Sequence, residues 1–384
     1  MKKKLMFAAI ILLAIMACGG GGNDSESSKT NPAPTFSISG KVTGDKLAGV
    51  TINLTGSATA STTTSADGNY SFTGQTDGNY TVTPSLTGYK FSPLSTAVVV
   101  SGANRTGINF VAAVDTSTNA IVADHIAAAT FNAIPQININ TAKAALHIAY
   151  GHTSHGSQLI TGMNALAASN SLYAWNNGGT GGALDLHDEA MGGDVGYYPD
   201  WVNNTRAYLG TPNASTGRGT TNPDVNVIIW SWCGQASNYT QQDMIEKYLV
   251  PMSQLESDYP GIKFVYMTGH LDGTGSAGNL NLRNQQIRDY CTVNNKVLFD
   301  FADIESYDPD GATNYMLLYA NDGCNYSGGN WADQWMAAHP TDELHTLAVP
   351  ICSDTCCAHS RGLNCVLKGR AAWWLWARLA GWGD

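Results

Sequence analysis

Three short stretches of this sequence hold most of its reactive side chains, and each directly follows an apolar run. They are Gly151-His152-Thr153-Ser154-His155-Gly156-Ser157, Ser231-Trp232-Cys233-Gly234-Gln235 and Thr268-Gly269-His270-Leu271-Asp272. Hydroxyl, imidazole and carboxylate groups are the parts of a nucleophilic site. A hydroxyl attacks only when a base within hydrogen-bond reach takes its proton, and that base needs a partner to set its tautomer. The same loops suit a second chemistry. His152, His155, His187, Asp188, His270 and Asp272 are of the types that bind zinc or manganese, although His152-x-x-His155 has no flanking helix signature. Asp308-Pro309-Asp310-Gly311 has the acids of a calcium loop but reads first as a turn. The loop Tyr173–Gly182 and Tyr197-Tyr198-Pro199-Asp200-Trp201 offer aromatic platforms and amide donors, which suit sugar rings or plain surface packing. No Gly-x-x-x-x-Gly-Lys-Ser/Thr loop and no dinucleotide fingerprint occurs, and the nucleophilic reading expected first calls for neither a metal nor a cofactor.

The elements that position these loops are legible as short apolar runs. Ala145–Tyr150, Val225–Trp230, Phe264–Met267 and Val297–Phe301 read as buried parallel strands, with helices between them over Thr240–Ser257 and Leu280–Val293. Alternating strands and helices predict a doubly wound, mostly parallel α/β sheet, flavodoxin-like in kind, whose site forms beyond the carboxyl ends of its strands. The chain closes with an amphipathic helix over Leu363–Gly381. Its tryptophans are better explained by core packing than by ligand stacking.

Ahead of this domain the pattern has period two. Phe36–Val42, Val50–Leu54 and Tyr80–Val82 alternate, and Asp67-Gly68-Asn69, Asp77-Gly78-Asn79 and Gly102-Ala103-Asn104 mark turns. Such spacing predicts a smaller all-β sandwich over 35–113, with the α/β domain over 121–384. The sandwich has no His and no Cys, and its acids lie at turns, so it reads as a spacer before it reads as a binding module.

Lys2, Lys3 and Lys4 precede an apolar stretch from Leu5 to Ala17 that is too short to span a bilayer. This predicts a signal peptide over 1–17. Ile15-Met16-Ala17-Cys18 resembles a lipobox, which implies lipid on Cys18 and a flexible linker over 18–34, and so export to the outer membrane or cell surface by lipid anchor. The formal charge is −10, and it becomes −13 once the leader lysines are gone. With no basic cluster left, nucleic acid is not an expected partner. Seven cysteines remain after Cys18, all beyond residue 230. In an oxidising compartment they favour disulfides over a zinc site, and their odd number leaves at least one thiol unpaired within the chain.

Two family resemblances add to this reading. The segment from SGKVTG through LAGVTINLTG to GNYTVTPSLTGYKFSP resembles the carboxypeptidase-regulatory-like, transthyretin-like β-sandwich modules. The α/β domain is similar in layout to the SGNH/GDSL hydrolases. HIAYGHTSHGSQLITGMNAL stands where that family has its nucleophile, VIIWSWCGQ stands for the second block, and CAHSRGLNCVLKGRAAWWLWARLAGW stands for the histidine and last helix. The resemblance implies Ser154 as nucleophile and His359 as base, with Asp354 the nearest acid; Asp342 and His345 form the reserve pair. The backbone N–H of Ser154 and donors from Gly234 or Gln235 would hold the oxyanion, with His152 and His155 beside them. The sequence departs from the family in placing Cys356 three residues before His359 and in lacking the usual Asn of the second block. Ser154 also suits a helix cap, and Ser157 is a second hydroxyl a turn further on. The function expected first is a serine ester hydrolase acting on acylated carbohydrate or a related extracellular ester. The alternatives are a non-catalytic surface binding protein and a metal-dependent hydrolase.

Overall fold

The computed structural model describes residues 34–86, 89–114 and 120–383; the expected leader, Cys18 and the linker up to residue 33 lie outside the described residues. Alternation builds the first domain. In Asn69–Gln75, Tyr70 and Phe72 are buried while their neighbours face out, as one wetted face of a sheet requires. The strands are β1 (Phe36–Gly44), β2 (Thr51–Gly56), β3 (Ala60–Thr63), β4 (Asn69–Gln75), β5 (Gly78–Ser85), β6 (Tyr89–Ser92), β7 (Thr96–Val100) and β8 (Phe110–Val114). They form two four-stranded sheets, β4-β1-β8-β6 and β3-β2-β5-β7. Ile38, Val42, Ile52, Tyr70, Val82 and Phe110 are among the side chains that fill the core of this all-β domain.

The second domain starts with β9 (Ile121–Ala123), α1 (His125–Ala129), α2 (Gln136–Ala145), β10 (His147–Gly151) and α3 (Ser157–Ser169). It continues with β11 (Trp175–Asn176), β12 (Leu184–Met191), α4 (Asp200–Leu209), β13 (Val227–Trp230), α5 (Gln241–Met244) and α6 (Val250–Asp258). Then come β14 (Lys263–Met267), α7 (Asn279–Val293), β15 (Val297–Phe299), α8 (Phe301–Ile304), α9 (Trp331–Ala338), α10 (Glu343–Ala348) and α11 (Gly362–Leu379). Seven strands pair in the order β11-β12-β10-β13-β14-β15-β9, every pair parallel. Numbered from β10, the middle five have the order 2-1-3-4-5, the flavodoxin-like winding. All four residues of β13 are buried, so both faces of the sheet are covered.

The four strands and three helices read from sequence are present within two or three residues. One end differs: the last predicted strand stops at Phe299, because the Asp300 carboxylate accepts the Asp303 N–H and opens α8 there. The short strand β9 was not read from its brief apolar run Ile121-Val122-Ala123, and β11 and β12 carried no continuous apolar run to announce them. Helices α3 and α11 cross at Gly162 and Gly369, where a Cβ on Gly162 would stand 1.8 Å from the Cys365 carbonyl oxygen. That backbone approach fixes the terminal helix beneath the first loop of the site. Trp373 and Trp376 are fully buried in α11, as core packing requires.

Candidate active site at the carboxyl ends of the central strands

The chain leaves β10 through His152 and Thr153, makes a tight turn over Ser154–Gly156 and enters α3. Gly156 is required there, since a Cβ would come within 2.3 Å of both His152 Cβ and Ser231 Oγ. The turn presents His155 inward and Ser154 outward.

His155 is the centre of the site. The ring is 6% exposed, and its Nε2–H donates to Asp322 Oδ2 at 3.0 Å. That bond leaves the Nδ1 lone pair facing Cys233, whose Sγ lies 3.5 Å away. Ser154 Oγ sits 3.4 Å from the same sulfur. The imidazole is also sandwiched: His270 stacks on one side at 4.0 Å and 5°, and His359 stacks on it at 4.4 Å and 23°. Burial lowers the His155 pKa, the Asp322 bond opposes this, and the neighbouring His270 adds to the lowering. The neutral ring is therefore favoured, the form a general base needs. Burial alone would raise the Asp322 carboxyl, but the His155 hydrogen bond, the His270 and His155 charges and the Gly323 N–H bring it below its usual range.

Each contributor has a structural anchor. Asp322 follows a bridge between Asp272 and Asn321, and its N–H donates to the Leu271 carbonyl at 3.0 Å. The Asp322 carbonyl accepts Ser360 Oγ at 2.6 Å, tying in the loop that carries His359. His359 itself has φ 62°, and the disulfide Cys357–Cys365 closes the loop around it. The carboxylate of Asp194 gathers the rim: it accepts Thr153 Oγ1 at 2.8 Å, Gln235 Nε2 at 3.2 Å and the Gly196 N–H at 2.9 Å.

The residues expected from sequence are thus only partly brought together. Ser154, His155, Gly234, Gln235 and His359 lie around one rim, but the contacts differ from the expected ones. Among the described residues no imidazole hydrogen-bonds to the Ser154 hydroxyl; the hydroxyl reaches His155 through Cys233. Asp354 is exposed and pairs with Arg361 Nη1 at 3.3 Å. Asp342 caps α10 by accepting the Leu344 N–H, and His345 lies within that helix. His152 has both ring nitrogens turned to other partners, Asp188 at 2.7 Å and the Thr153 carbonyl at 3.0 Å, so neither faces a nucleophile. Ser157 Oγ donates to the Ser154 carbonyl. Cys233, one of the cysteines expected to favour disulfides, is a free thiol. The disulfides are Cys352–Cys356 and Cys357–Cys365. Asp322 had no sequence signal beyond an Asn-Asp-Gly turn.

Of the six residues considered as metal ligands, two converge. His155, His270 and Asp322 have ligand atoms within 4.8 Å of one another. Parallel rings, however, direct their in-plane lone pairs side by side, whereas a zinc ion about 2.0–2.1 Å from each nitrogen needs them to converge. His187 is held by Asp185 at 3.1 Å and Tyr208 at 3.2 Å, and Asp272 accepts from Thr274.

Among curated proteins no sequence matches the chain. Three solved structures are similar over about a fifth of it. The Bacillus anthracis TIE protein is 19% identical over 20% of this chain and 16% of that one, with a TM-score of 0.18. GBS52, the minor pilin of Streptococcus agalactiae, is 20% identical over 21% and 45%, with a TM-score of 0.18. The group B streptococcus pilus 2b backbone protein is 17% identical over 22% and 46%, with a TM-score of 0.17. This chain spans less than half the length of each. Residues 37–113 match the family model of the Carboxypeptidase regulatory-like domain, the family that the first module resembles in sequence.

Proposed function

We propose that the α/β domain is an ester hydrolase that works through a covalent acyl-enzyme, with Cys233 as nucleophile, His155 as base and Asp322 as the group that orients the base. The observation that carries this reading is the continuous chain Cys233 Sγ, His155 Nδ1, His155 Nε2, Asp322 Oδ2 at 3.5 and 3.0 Å. Nucleophile, base and orienter in that order are the parts acyl transfer needs. His155 Nδ1 takes the thiol proton as the sulfur attacks the ester carbonyl. The tetrahedral intermediate then collapses, the ester C–O bond breaks, and the leaving oxygen takes the proton from His155. Water, deprotonated by the same imidazole, next cleaves the thioester and releases the acid and the free thiol. Ser154 Oγ, 3.4 Å from the sulfur, donates to the developing thiolate.

The SGNH/GDSL-like layout supports the same reaction class but assigns the attack to Ser154. Kinetics on p-nitrophenyl acetate separates the two. Cys233→Ala is expected to abolish turnover, while Ser154→Ala leaves a reduced rate, down about tenfold for one lost hydrogen bond to a charge. The opposite pattern would move the nucleophile to Ser154. Turnover that survives both changes and stops with EDTA would overturn covalent catalysis in favour of a metal at His155, His270 and Asp322.

The substrate class we propose is an acylated carbohydrate or related extracellular ester, met by a protein exported under the leader and anchored by lipid at Cys18. Among the described residues no helix is long and apolar enough to cross a membrane. In a host that processes lipoproteins, labelled palmitate should enter the wild type and not Cys18→Ser; equal labelling of both would remove the anchor from this account.

A further inference from the structure

The aromatic residues singled out in the sequence separate in the structure. Trp201 is buried, with its Nε1–H on the Lys247 carbonyl at 3.2 Å, and Tyr173 packs its ring on Phe131 and Trp373. Tyr197 and Tyr198 stay on the surface, 57% and 45% exposed. They belong to the turn whose Asp194 carboxylate holds Thr153, next to Ser154, and Gln235, two residues from Cys233. A third exposed ring lies across the site. Tyr319 is 65% exposed, precedes Asp322 by three residues and rests against Gly275 in the loop after β14, where a Cβ would come within 2.8 Å of the ring. In the sheet, β12, which leads into the first pair, and β14 lie on either side of β10 and β13. The rings therefore flank the nucleophile and base, on strands three spacings apart, about 14 Å. The loops between them share one composition. Residues 152–156, 192–199, 231–240 and 268–278, after β10, β12, β13 and β14, contain no Lys or Arg, and neither does 312–330, which carries Tyr319. They are rich in Gly, Ser, Thr and Asn, and their charges are the carboxylates of Asp194, Asp272 and Asp322. Rigid tyrosines set among small hydroxyl and amide side chains bind polar ligands at low cost in conformational entropy.

We infer that Tyr197, Tyr198 and Tyr319 are the stacking platforms of an extended surface that holds a neutral polysaccharide chain across the nucleophile, so that the ester cleaved is an O-acyl group borne on that chain. The C–H face of a sugar ring lies flat on an aromatic ring, and its hydroxyls donate to and accept from the Asn, Ser and Thr side chains between the platforms. An anionic chain is disfavoured, because these loops carry three carboxylates and no Lys or Arg to offset them. The inference deepens the hydrolase reading and rests on it for the reaction, although binding of the chain needs no turnover.

The test has two arms. In the first, neutral hexasaccharides derived from xylan, cellulose and mannan, and an anionic hexagalacturonate, are titrated into the protein by calorimetry without any reaction. Wild type is expected to bind at least one neutral chain, and to bind the anionic chain about tenfold or more weakly. The double change Tyr197→Ala with Tyr198→Ala, and separately Tyr319→Ala, should each weaken neutral binding by about tenfold, the loss of one or two ring contacts. Tyr197→Phe, Tyr198→Phe and Tyr319→Phe should keep it, since the ring and not the hydroxyl makes the platform. No binding of any neutral chain, equal binding by the alanine variants, or equal binding of the anionic chain overturns the inference. In the second arm, acetate release is followed from the partially acetylated form of the bound sugar, in chains of two to six residues. In wild type kcat/KM should rise about tenfold from the shortest to the longest, and the rise should vanish in the alanine variants. Cleavage at a rate independent of chain length overturns the inference and leaves the hydrolase reading standing. Chain binding through the tyrosines with no cleavage of these esters or of p-nitrophenyl acetate would sink the hydrolase reading alone.

Discussion

At the scale of single residues, the site depends on one imidazole doing two jobs at once. Its Nε2–H is fixed by Asp322, so its other nitrogen is left as an acceptor toward Cys233. Burial holds the ring neutral, and this sets the pH dependence. Activity needs the neutral ring, so the acid limb of kcat/KM should fall below the usual imidazole range near pH 6.5, and rate should persist in mildly acid solution. Asp322 is a group that raises the His155 pKa. Asp322→Asn should therefore push that limb still lower while kcat drops by about a hundredfold or more, as expected when a base loses its tautomer partner. A limb that moves up, or a kcat that does not change, would mean that Asp322 does not act through His155. The same depressed pKa links to stability. The unfolded chain binds a proton that the folded ring refuses, so this contribution is present above the ordinary imidazole range and is lost as the pH falls toward the folded value. Thiol chemistry is similarly selective: burial pushes Cys324 up to about 12 and Cys291 well above its usual range, and Cys233 is the one free thiol among the described residues that is not buried.

At the scale of elements, the reason for the placement of the site lies in the winding of the sheet. Strand order reverses around β10, so the loops after β10 and β13 open together, and the crevice forms there. The apolar runs of β10, β13, β14 and β15 made this much legible in sequence, because strands buried on both faces are written almost entirely in aliphatic and aromatic residues. Strand β12 was not legible for the opposite reason. It alternates the fully buried Leu184 and Leu186 with Asp185 and the half-buried His187, and the burial of Asp185 is tolerated because it bonds His147 at 2.7 Å, His187 at 3.1 Å and the Gly178 N–H at 2.7 Å. The His147 partner lies 38 residues away, so the local pattern does not reveal the arrangement. Asp322 escaped notice in the same way, since 167 residues separate it from His155. The terminal helix was legible as amphipathic, but its buried Lys368 was not. That ammonium donates to Glu305 Oε1 at 2.7 Å and to Gln158 on α3, and lies 3.9 Å from the Phe301 ring. Glu305 also accepts the Leu271 N–H, which fixes the segment carrying His270. An ion pair with 0% and 1% side-chain exposure thus braces the floor of the site.

At the scale of the whole molecule, two domains divide the work unequally. Among its described residues the β-sandwich buries its short strands alternately around its own core. The α/β domain holds the reactive groups on one rim of one sheet. A leader, a lipid-bearing Cys18 and a linker would set this pair of domains at a membrane surface, facing extracellular esters. Low charge content and an acidic balance fit that setting, but composition does not name the substrate. The central claim concerns which atom takes the acyl group. The direct measurement is peptide mass spectrometry on protein quenched in acid within the first turnover of p-nitrophenyl acetate. One acetyl group on the peptide bearing Cys233, absent from His155→Ala, is the result this account predicts. An acetyl group on Ser154, or no acylated peptide during active turnover, would contradict it.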